Sequence, residues 1–437
     1  MSALDPGLEA AVISKLNRRL LPFLFLLYIV AYLDRINVGF AALGMQKELG
    51  FNDAVYGLGA GMFFGGYFFF QLPSNLVLAR VGARRWMAVL MVVWGAVSAA
   101  MLMVRTAHGF YLLRFLLGAA EAGFFPGMIL YLKSWFPSHA RARAISLFMT
   151  AAPLSGVIGG PISGALLNLN GTVGLAGWQW LFLMEALPAV VLGGVVLRFL
   201  SDRPEEAQWL PEEHRQWLLE AHARDTKSPN LLTRTNAMAA FASGRVWLLS
   251  LVYFGLNTCA YGLALWLPSL IHHLAGFTNF QIGVLSAVPY FVAAVSMALV
   301  GHHSDRHAER KWHVALSAAA GAVGLVLTAY SGSPFPVVAG ASVAIAGAYA
   351  MNGPFWALSS SLLAGTAAAA GVALINSVGN LGGFFGPYVI GLVRSATGTF
   401  RGGLLVVSVF LATSGALALL VRTVHVREVA AACEQTG

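Results

Sequence analysis

The feature that most constrains the fold of this chain is a series of twelve long apolar segments, most of which contain no charged residue. A helix of about 20 apolar residues spans the hydrocarbon core of a bilayer, whereas an isolated strand would leave its backbone polar groups unpaired in lipid. The sequence therefore predicts an all-α membrane protein with twelve transmembrane helices. The predicted spans are 20–43, 55–79, 86–104, 109–132, 142–167, 179–200, 245–271, 280–302, 313–331, 335–363, 371–393 and 402–421.

The composition excludes a soluble protein. Hydrophobic residues make up 58% of the chain and charged residues only 10%, against about 25% charged in soluble domains. The formal net charge is +9. We attribute it to the excess of Lys and Arg on the cytoplasmic side of a membrane protein, and we do not expect nucleic acid as a partner. The segment 20–42 is too long for the apolar part of a signal peptide and is expected to remain as the first span.

The distribution of basic residues predicts the orientation in the membrane. With the N-terminus in the cytoplasm, 21 of the 27 Lys and Arg residues lie on the cytoplasmic side and two, Arg35 and Arg114, lie inside spans. The remaining four are on the outer side: Lys47, Arg105, Arg394 and Arg401. Because cytoplasmic loops carry an excess of Lys and Arg, we expect a multi-pass protein of the cell inner membrane with both termini and the central loop in the cytoplasm.

An internal repeat with a constant offset of 226 residues divides the chain into two similar halves. Two well-separated motifs obey this offset: Arg80, Arg84, Arg85 and Trp86 match Arg306, Arg310, Lys311 and Trp312, and Gly156, Gly160 and Pro161 match Gly382, Gly386 and Pro387. Parallel repeats of this kind occur in transporters that rock around a site near the middle of the membrane. The predicted architecture is therefore two pseudo-symmetric six-helix bundles.

The expected domain boundaries follow from this repeat. Residues 1–201 form the first six-helix bundle, 202–243 a cytoplasmic central loop, and 244–437 the second six-helix bundle. Within the loop, the segment 204–221 mixes Trp and Leu with charged residues, which predicts an amphipathic interfacial helix; a solvated linker is the alternative. The glycine clusters of spans 5 and 11 are expected to let helix backbones approach closely. These clusters would serve helix packing alone, or they would also serve as hinges.

Five charged residues fall within the predicted spans away from their ends: Asp34, Arg35, Arg114, Glu121 and Glu185. A charged group inside a membrane is costly, so each is a functional candidate. Arg114 and Glu121 are two helical turns apart, on one face of span 4 and about 10 Å apart along its axis. An anionic substrate that competes for an arginine would free a carboxylate to take up a proton, which predicts proton–anion coupling. A static ion pair that locks spans 1 and 4 is the alternative.

Arginine in the membrane also favours one substrate class. Its planar guanidinium binds a carboxylate through two parallel hydrogen bonds, so an organic anion is favoured over a cation or a neutral sugar. The sequence contains no Walker A, HExxH or GxSxG motif, so neither an enzyme nor a cofactor is predicted. The histidines around 302–313 could bind a metal, but a solvated loop without metal is the favoured interpretation.

Several motifs together resemble the major facilitator superfamily. The loop after span 8 is similar to its signature through Gly301, Asp305, Arg306, Arg310 and Lys311. The loop after span 2 keeps Arg84 and Arg85 but has Asn75 and Ala79 where the superfamily usually has Gly and Asp.

Further stretches resemble one branch of this superfamily, the anion:cation symporters, which include tartrate, phthalate, sugar-acid and hydroxyphenylacetate permeases. These stretches are 32–39, 71–75, 82–85, 114–127, 178–182, 202–207 and 376–383. The resemblance covers nearly the whole chain. One departure is Gln71, where many relatives carry Glu.

The resemblance implies proton-coupled import of a small organic carboxylate by alternating access. Asp34 and Glu121 would be the proton-coupling acids, and Arg35 and Arg114 would hold the substrate carboxylate. The other residues expected to line the central cavity are Tyr32, Tyr67, Trp356, Asn376 and Asn380, and the gating motif would comprise Arg84, Arg85, Asp305, Arg306 and Arg310.

Two alternatives remain open at this point. The first is a drug:proton antiporter, because the Gly-Pro cluster of span 5 resembles a motif associated with such exporters. The second is a transporter-like carboxylate sensor, although tails of about 19 and 16 residues leave little room for a signalling domain. The expected partners are the carboxylate, protons and the lipid bilayer, and nothing in the sequence requires more than a monomer.

Overall fold

The computed structural model describes residues 6–225, 241–274, 276–363 and 368–421. Nearly all of these residues are helical. The helices are α1 Pro6–Ile36, α2 Val38–Leu49, α3 Asp53–Val81, α4 Ala83–Ala100, α5 Ala107–Glu121, α6 Phe124–Trp135, α7 Ser138–Met149, α8 Ala151–Leu167, α9 Gly177–Phe199, α10 Glu212–Asp225, α11 Gly244–Leu274, α12 Asn279–His307, α13 Lys311–Tyr330, α14 Pro334–Leu362, α15 Ala368–Thr397 and α16 Arg401–Leu420.

The transmembrane prediction agrees with these helices. Among the described residues, eleven helical segments are long and apolar enough to cross a membrane. The twelfth predicted span, 371–393, lies within the 30-residue helix α15. The fold is thus an all-α membrane protein of twelve spans.

In three of the twelve spans the regular helix is interrupted for one or two residues, which the apolar pattern did not reveal; Asn37, Ala122 and Thr150 keep right-handed helical dihedral angles there. Span 1 consists of α1 and α2, which meet at Asn37; span 4 consists of α5 and α6, which are separated at Ala122–Gly123; and span 5 consists of α7 and α8, which meet at Thr150. Such interruptions inside a membrane are tolerated where neighbouring protein satisfies the backbone. Two of these interruptions lie within two residues of predicted site residues: Asn37 is two residues after Arg35, and Ala122 is one residue after Glu121.

The 226-residue offset reappears in the contacts between the two halves. Helix α3 packs against α15, and its repeat counterpart α12 packs against α8. A methyl group added at Gly57 would lie 2.7 Å from the carbonyl oxygen of Pro387, and one added at its equivalent, Gly283, would meet the carbonyl oxygen of Gly160. In the predicted clusters of spans 5 and 11, a methyl group at Gly160 would meet the carbonyl oxygen of Gly283 and one at Gly386 that of Thr258, so these glycines let backbones approach closely, as predicted.

The two halves are packed together at the predicted outer end of the bundle. There Arg394 pairs with Asp53 at 2.9 Å, and the Tyr56 hydroxyl donates to the Leu265 carbonyl at 2.7 Å. The contacts continue inward to the bond from the Ser377 hydroxyl to the Gln71 side chain, at 3.0 Å. These contacts join the two halves on that side.

The central loop packs on the first half. A helix was expected over 204–221, but the structure has a single 3₁₀ turn at Pro204–Glu206 and a helix only from Glu212. The apolar side chains of α10, including Trp217 and Leu218, are buried and so are covered by protein. Residues 226–240, with Lys227 and Arg234, and residues 422–437, with Arg422 and Arg427, lie outside the described residues.

Candidate functional site

The centre of the site is an ion pair between Arg35 and Glu121. Arg35 lies in the last turn of α1, two residues before the interruption at Asn37, and Glu121 is the last residue of α5. Nη2 of Arg35 donates to Oε2 of Glu121 at 3.0 Å, and both side chains are buried. The other carboxylate oxygen of Glu121, Oε1, has no hydrogen-bond partner among the described residues. The pair therefore joins spans 1 and 4 and leaves one acceptor atom free.

Aromatic side chains surround the Arg35 guanidinium. Its Nη1 donates to the hydroxyl of Tyr261, on α11 in the other half, at 3.1 Å. The rings of Tyr32, Phe63 and Tyr67 lie 5.2 to 5.7 Å from its central carbon, which is within the range of cation–π attraction. The only charged group that contacts Arg35 within the described residues is Glu121. A second anion would thus find a cation held in a largely uncharged surrounding.

Arg114 is fully buried, and none of its three guanidinium nitrogens has a hydrogen-bond partner among the described residues. Its position two turns before Glu121 does not produce an ion pair between them, because Glu121 turns to Arg35 instead. Arg114 instead lies 5.1 Å from the Phe63 ring, and Arg35 lies 5.2 Å from the same ring. The two arginines therefore share one aromatic neighbour, and Arg114 keeps its full donor capacity.

Asp34 is directed away from Arg35, into the first half. Its Oδ1 accepts from the Ser98 hydroxyl at 2.7 Å and its Oδ2 accepts from the Trp94 indole at 3.2 Å. Its side chain is fully buried. The sequence alone did not single out Trp94 or Ser98, since both look like ordinary residues of an apolar span. Asp34 is therefore a second buried carboxyl, held by neutral donors and not by arginine.

Glu185 makes a third buried carboxyl group in the first half. The Ser163 hydroxyl donates to its Oε1 at 2.7 Å, while Oε2 has no partner among the described residues. Like Asp34, it is held by a neutral donor. Only Glu121 of the three contacts an arginine.

The second half contributes hydroxyl groups and aromatic rings to the site. The hydroxyl of Tyr32 lies 2.5 Å from that of Tyr349 on α14. Tyr349 was missed in the sequence because a single Tyr in an apolar span gives no distinguishing signal. Together with Arg35–Tyr261, this bond links α1 to both α11 and α14.

Three predicted cavity residues form a separate group on α14 and α15. Trp356 packs on the Tyr253 ring with 5.2 Å between ring centroids, and the Asn380 amide donates to the Asn376 side chain at 3.3 Å. Trp356 and Asn376 are partly exposed. Asn376 precedes Ser377, which bonds to Gln71 of the first half, whereas Tyr32 and Tyr67 lie at Arg35.

The predicted gating residues form two charge clusters at equivalent positions of the repeat. Arg84 pairs with Asp202 at 3.2 Å, and its counterpart Arg310 pairs with Asp305 at 2.6 Å. The carboxylate missing from the first loop at Ala79 is thus replaced by one from the segment after α9. Arg85 and Arg306 are exposed.

Comparison with known proteins identifies the family of this chain. The family model described as Major Facilitator Superfamily matches residues 24–387. A "Putative tartrate transporter" of Agrobacterium vitis is 49% identical over 94% of this chain and 92% of its own. A "Quinolone resistance transporter" of Acinetobacter baumannii is 41% identical over 92% of each chain.

A solved structure shares the fold. It is a bacterial homolog of the human lysosomal transporter Spinster, in an inward-facing and unoccupied conformation, which superposes with a TM-score of 0.77 at 17% identity over 96% of this chain and 98% of that one. The family match covers most of the chain, and the close relatives are transporters, so the protein is a membrane transporter and not an enzyme. This chain belongs to the Major Facilitator Superfamily.

Proposed function

We propose that this transporter imports a small organic carboxylate together with protons by alternating access. The observation that carries the proposal is the Arg35 guanidinium, which is shared between the Glu121 carboxylate of its own half and the Tyr261 hydroxyl of the other. This guanidinium already binds one carboxylate and contacts both halves. It is therefore suited to exchange the Glu121 carboxylate for a substrate carboxylate.

The coupling step follows from competition for Arg35. A substrate carboxylate that binds the guanidinium displaces Glu121, whose charge is then left buried without its cation. A buried unpaired charge is costly, so Glu121 takes up a proton when the substrate arrives. Substrate and proton then favour the same state of the protein, which is the thermodynamic requirement for coupling. Asp34 is proposed as a second proton site, because it is equally buried and is held only by neutral donors.

Arg114 gives the site a second cation for the substrate. Its unpartnered guanidinium and that of Arg35 lie at similar distances from the Phe63 ring. A substrate with two acidic groups, or with one acidic group and hydroxyl groups, would engage both arginines. The tartrate transporter name of the relative in Agrobacterium vitis supports a carboxylate, although it does not identify which one this chain carries.

The transport cycle is proposed to rock the bundles 1–201 and 244–437 about the Arg35 site, with the loop 202–243 and both termini in the cytoplasm. The packed outer end, at Asp53–Arg394, corresponds to a state that is open to the cytoplasm. The Arg84–Asp202 and Arg310–Asp305 clusters would then be the inner gate elements. Trp356, Asn376 and Asn380 would line the inner part of the path, and Tyr32 and Tyr67 the binding site itself.

One second candidate is favoured by a specific observation. The relative from Acinetobacter baumannii is named as a quinolone resistance transporter, and the Arg35 site is rich in aromatic rings that could stack on a planar drug. The antiporter alternative therefore predicts export of an aromatic compound in exchange for protons.

The test is uptake by the purified protein in proteoliposomes with an acidic exterior. The labelled panel comprises tartrate, hexonates, phthalate, hydroxyphenylacetate and benzoate. We expect accumulation of at least one of these acids, and we expect a protonophore to abolish it. If folded protein accumulates none of the acids but the same gradient drives a fluorescent quinolone in the opposite direction, the import proposal is wrong and the antiporter is supported.

A further inference from the structure

A large groove lies on the surface of the first half, outside the site described above. Its volume is about 880 Å³, and it is bordered by α1, the end of α9 and the start of the central loop. The residues that line it are Ala11, Ser14, Lys15, Arg18, Arg19, Pro22, Phe23, Leu26, Phe199 and Trp209. Three of them are basic and none is acidic. The groove therefore combines a positive charge with aromatic and aliphatic walls.

The polarity of the groove changes along α1. Lys15 and Arg18 lie at one end, and Pro22 and Leu26 continue the same helix face toward the apolar part of the span. At 1.5 Å per residue the distance from Lys15 to Leu26 is about 16 Å. Leu26 is 44% exposed, which is expected for a residue that faces lipid. The groove thus runs from the polar region of the membrane into its hydrocarbon.

The groove does not open onto the arginine site. The residues that line it include none of those at the arginine site. At about 100° per residue, Pro22 lies about a third of a turn around α1 from Tyr28, and Leu26 lies about a third of a turn from Tyr32. The other wall is formed by Phe199, at the end of α9, the last helix of the first half. A ligand in this groove would therefore be a neighbour in the membrane and not the transported substrate.

Arg19 is the most specific feature of the groove. Its guanidinium carbon lies 4.7 Å from the centre of the Phe199 ring and 4.8 Å from that of Trp209, so two aromatic rings fix its position. Its Nε and the indole Nε1 of Trp209 are both buried without a hydrogen-bond partner among the described residues. Two donors without an acceptor, one of them part of the Arg19 guanidinium itself, match an oxygen-rich anion.

We propose that this groove binds the headgroup of an anionic phospholipid. Lys15, Arg18 and Arg19 would hold the phosphodiester, the Trp209 indole would donate to one of its oxygens, and Phe23 and Leu26 would contact the acyl chain. Basic pockets between transmembrane helices on the cytoplasmic side bind such headgroups. The leaflet assigned here, the inner one, rests on the orientation given under Proposed function. The apolar end of the groove favours a lipid over free phosphate, which shares the headgroup chemistry.

The test measures lipid binding directly on the full chain in detergent by native mass spectrometry. Dioleoyl phosphatidylglycerol, dioleoyl phosphatidylcholine and inorganic phosphate are the probes. We expect one phosphatidylglycerol to bind in preference to phosphatidylcholine. The double variant Lys15→Gln/Arg18→Gln removes two at least partly exposed charges and should weaken this binding about 25-fold, at about fivefold for each charge.

Two further variants make the result specific. The control Lys133→Gln/Arg143→Gln removes two exposed charges of the same predicted membrane side but outside the groove, and should leave binding unchanged. Trp209→Phe keeps the ring beside Arg19 and removes only the N–H; it should weaken binding several-fold.

Three results would overturn the proposal: equal affinity for the two lipids, an equal loss in the control and the groove variants, or displacement of the lipid by millimolar inorganic phosphate. The last result would assign the groove to a free anion. Because the measurement needs neither a substrate nor a proton gradient, its failure would leave the transport proposal untouched.

Discussion

Arg35 and Tyr261 are separated by 226 residues and are hydrogen-bonded to each other at 3.1 Å. This separation is the offset of the internal repeat, so the two residues occupy equivalent positions in the two halves. Equivalent positions can touch only close to the pseudo-twofold axis that relates the halves. The bond therefore marks the point about which the halves are arranged, and it places a cation of one half against a neutral hydroxyl of the other.

Removal of the Tyr261 hydroxyl should weaken substrate binding. Tyr261→Phe takes away one neutral acceptor of Arg35, and the loss of such a bond costs about 1 kcal/mol, so we expect KM for uptake to rise about fivefold. The matched control is Tyr290→Phe, because the Tyr290 hydroxyl has no partner among the described residues. A similar rise in both variants would argue against a specific contribution of the Arg35–Tyr261 bond.

Neutralisation of Glu121 should separate exchange from coupling. Glu121→Gln keeps the shape of the side chain but cannot release or take up the proton, so we expect exchange of labelled for unlabelled substrate to persist while uptake driven by a pH gradient is lost. Both are measured in the same proteoliposomes. Glu185→Gln is the control, since this buried carboxyl contacts Ser163 and not an arginine. Driven uptake that survives in Glu121→Gln would exclude the coupling role.

Substitution of Arg35 by lysine tests the bidentate geometry. Lys keeps the charge but lacks the planar fork that binds a carboxylate through two hydrogen bonds. Loss of a partner in a buried charged pair costs about 2–5 kcal/mol, so we expect kcat/KM for uptake to fall about 100-fold. The same change at the partly exposed Arg84, which pairs with Asp202, should alter kcat more than KM. If Arg35→Lys and Arg84→Lys changed KM equally, Arg35 would not be in contact with the substrate.

A larger side chain at Gly160 should hold the outer end open. A Cβ there meets the carbonyl oxygen of Gly283, so Gly160→Val is expected to separate α8 from α12. A reporter, Asn279→Cys, lies at this contact, and its labelling by a membrane-impermeant maleimide added from outside should rise several-fold. Gly194→Val, which has open space around it, serves as control. Unchanged labelling would show that this contact does not control access.

Asp225 should stabilise the docking of the central loop in a pH-dependent way. Its carboxylate accepts hydrogen bonds from the backbone N–H and from the hydroxyl of Ser138, at 2.7 Å each. These bonds lower the pKa of Asp225, and the bond from the Ser138 side chain is the largest cause. A carboxyl group whose pKa is lower in the folded state stabilises the fold at pH values above its unfolded-state pKa of about 3.9. This stabilisation is lost as the pH falls through the folded-state pKa.

We therefore expect Asp225→Asn to reduce the free energy of unfolding by about 1 kcal/mol at pH 7, as measured by thermal unfolding in detergent. The difference from the unchanged protein should shrink at acidic pH. Glu220→Gln, which removes only an exposed pair with Arg224 at 3.9 Å, should have little effect. A difference that stays constant down to pH 3 would contradict the role of the ionised carboxylate.

The sequence predicts the positions of the membrane spans better than it predicts which charged residues pair. Apart from the first span, whose helix begins at Pro6 and not near residue 20, the apolar segments predicted the helix ends to within about five residues, because a bilayer requires a minimum apolar length of every helix that crosses it. The glycine positions likewise anticipated the helix contacts, since only small residues let backbones touch. Both properties are local and can be read without knowledge of the tertiary structure.

The sequence allowed an ion pair between spans 1 and 4, but it did not identify Arg35 and Glu121 as the two members. Spacing along a helix relates Glu121 to Arg114, but α5 ends at Glu121 and the chain continues into α6 only after Ala122–Gly123, so its side chain meets Arg35 of a different span. The pairing of Arg84 with Asp202 is similar: it joins positions 118 residues apart. Such choices depend on how the helices are placed around one another, and no local pattern encodes them.

Among the residues that the structure describes, the arginine and carboxylate groups buried inside the spans, from Asp34 to Glu185, belong to the first half, whereas the second half presents hydroxyl groups and rings to them. A transmembrane voltage acts on charge, at about 2.3 kcal/mol for each elementary charge moved through 100 mV. The voltage would therefore pull directly on one bundle alone, while the other would move in the field without doing electrical work. Although the two halves repeat each other in shape, the electrical cost of the cycle would be set by the first half and by the ions bound to it.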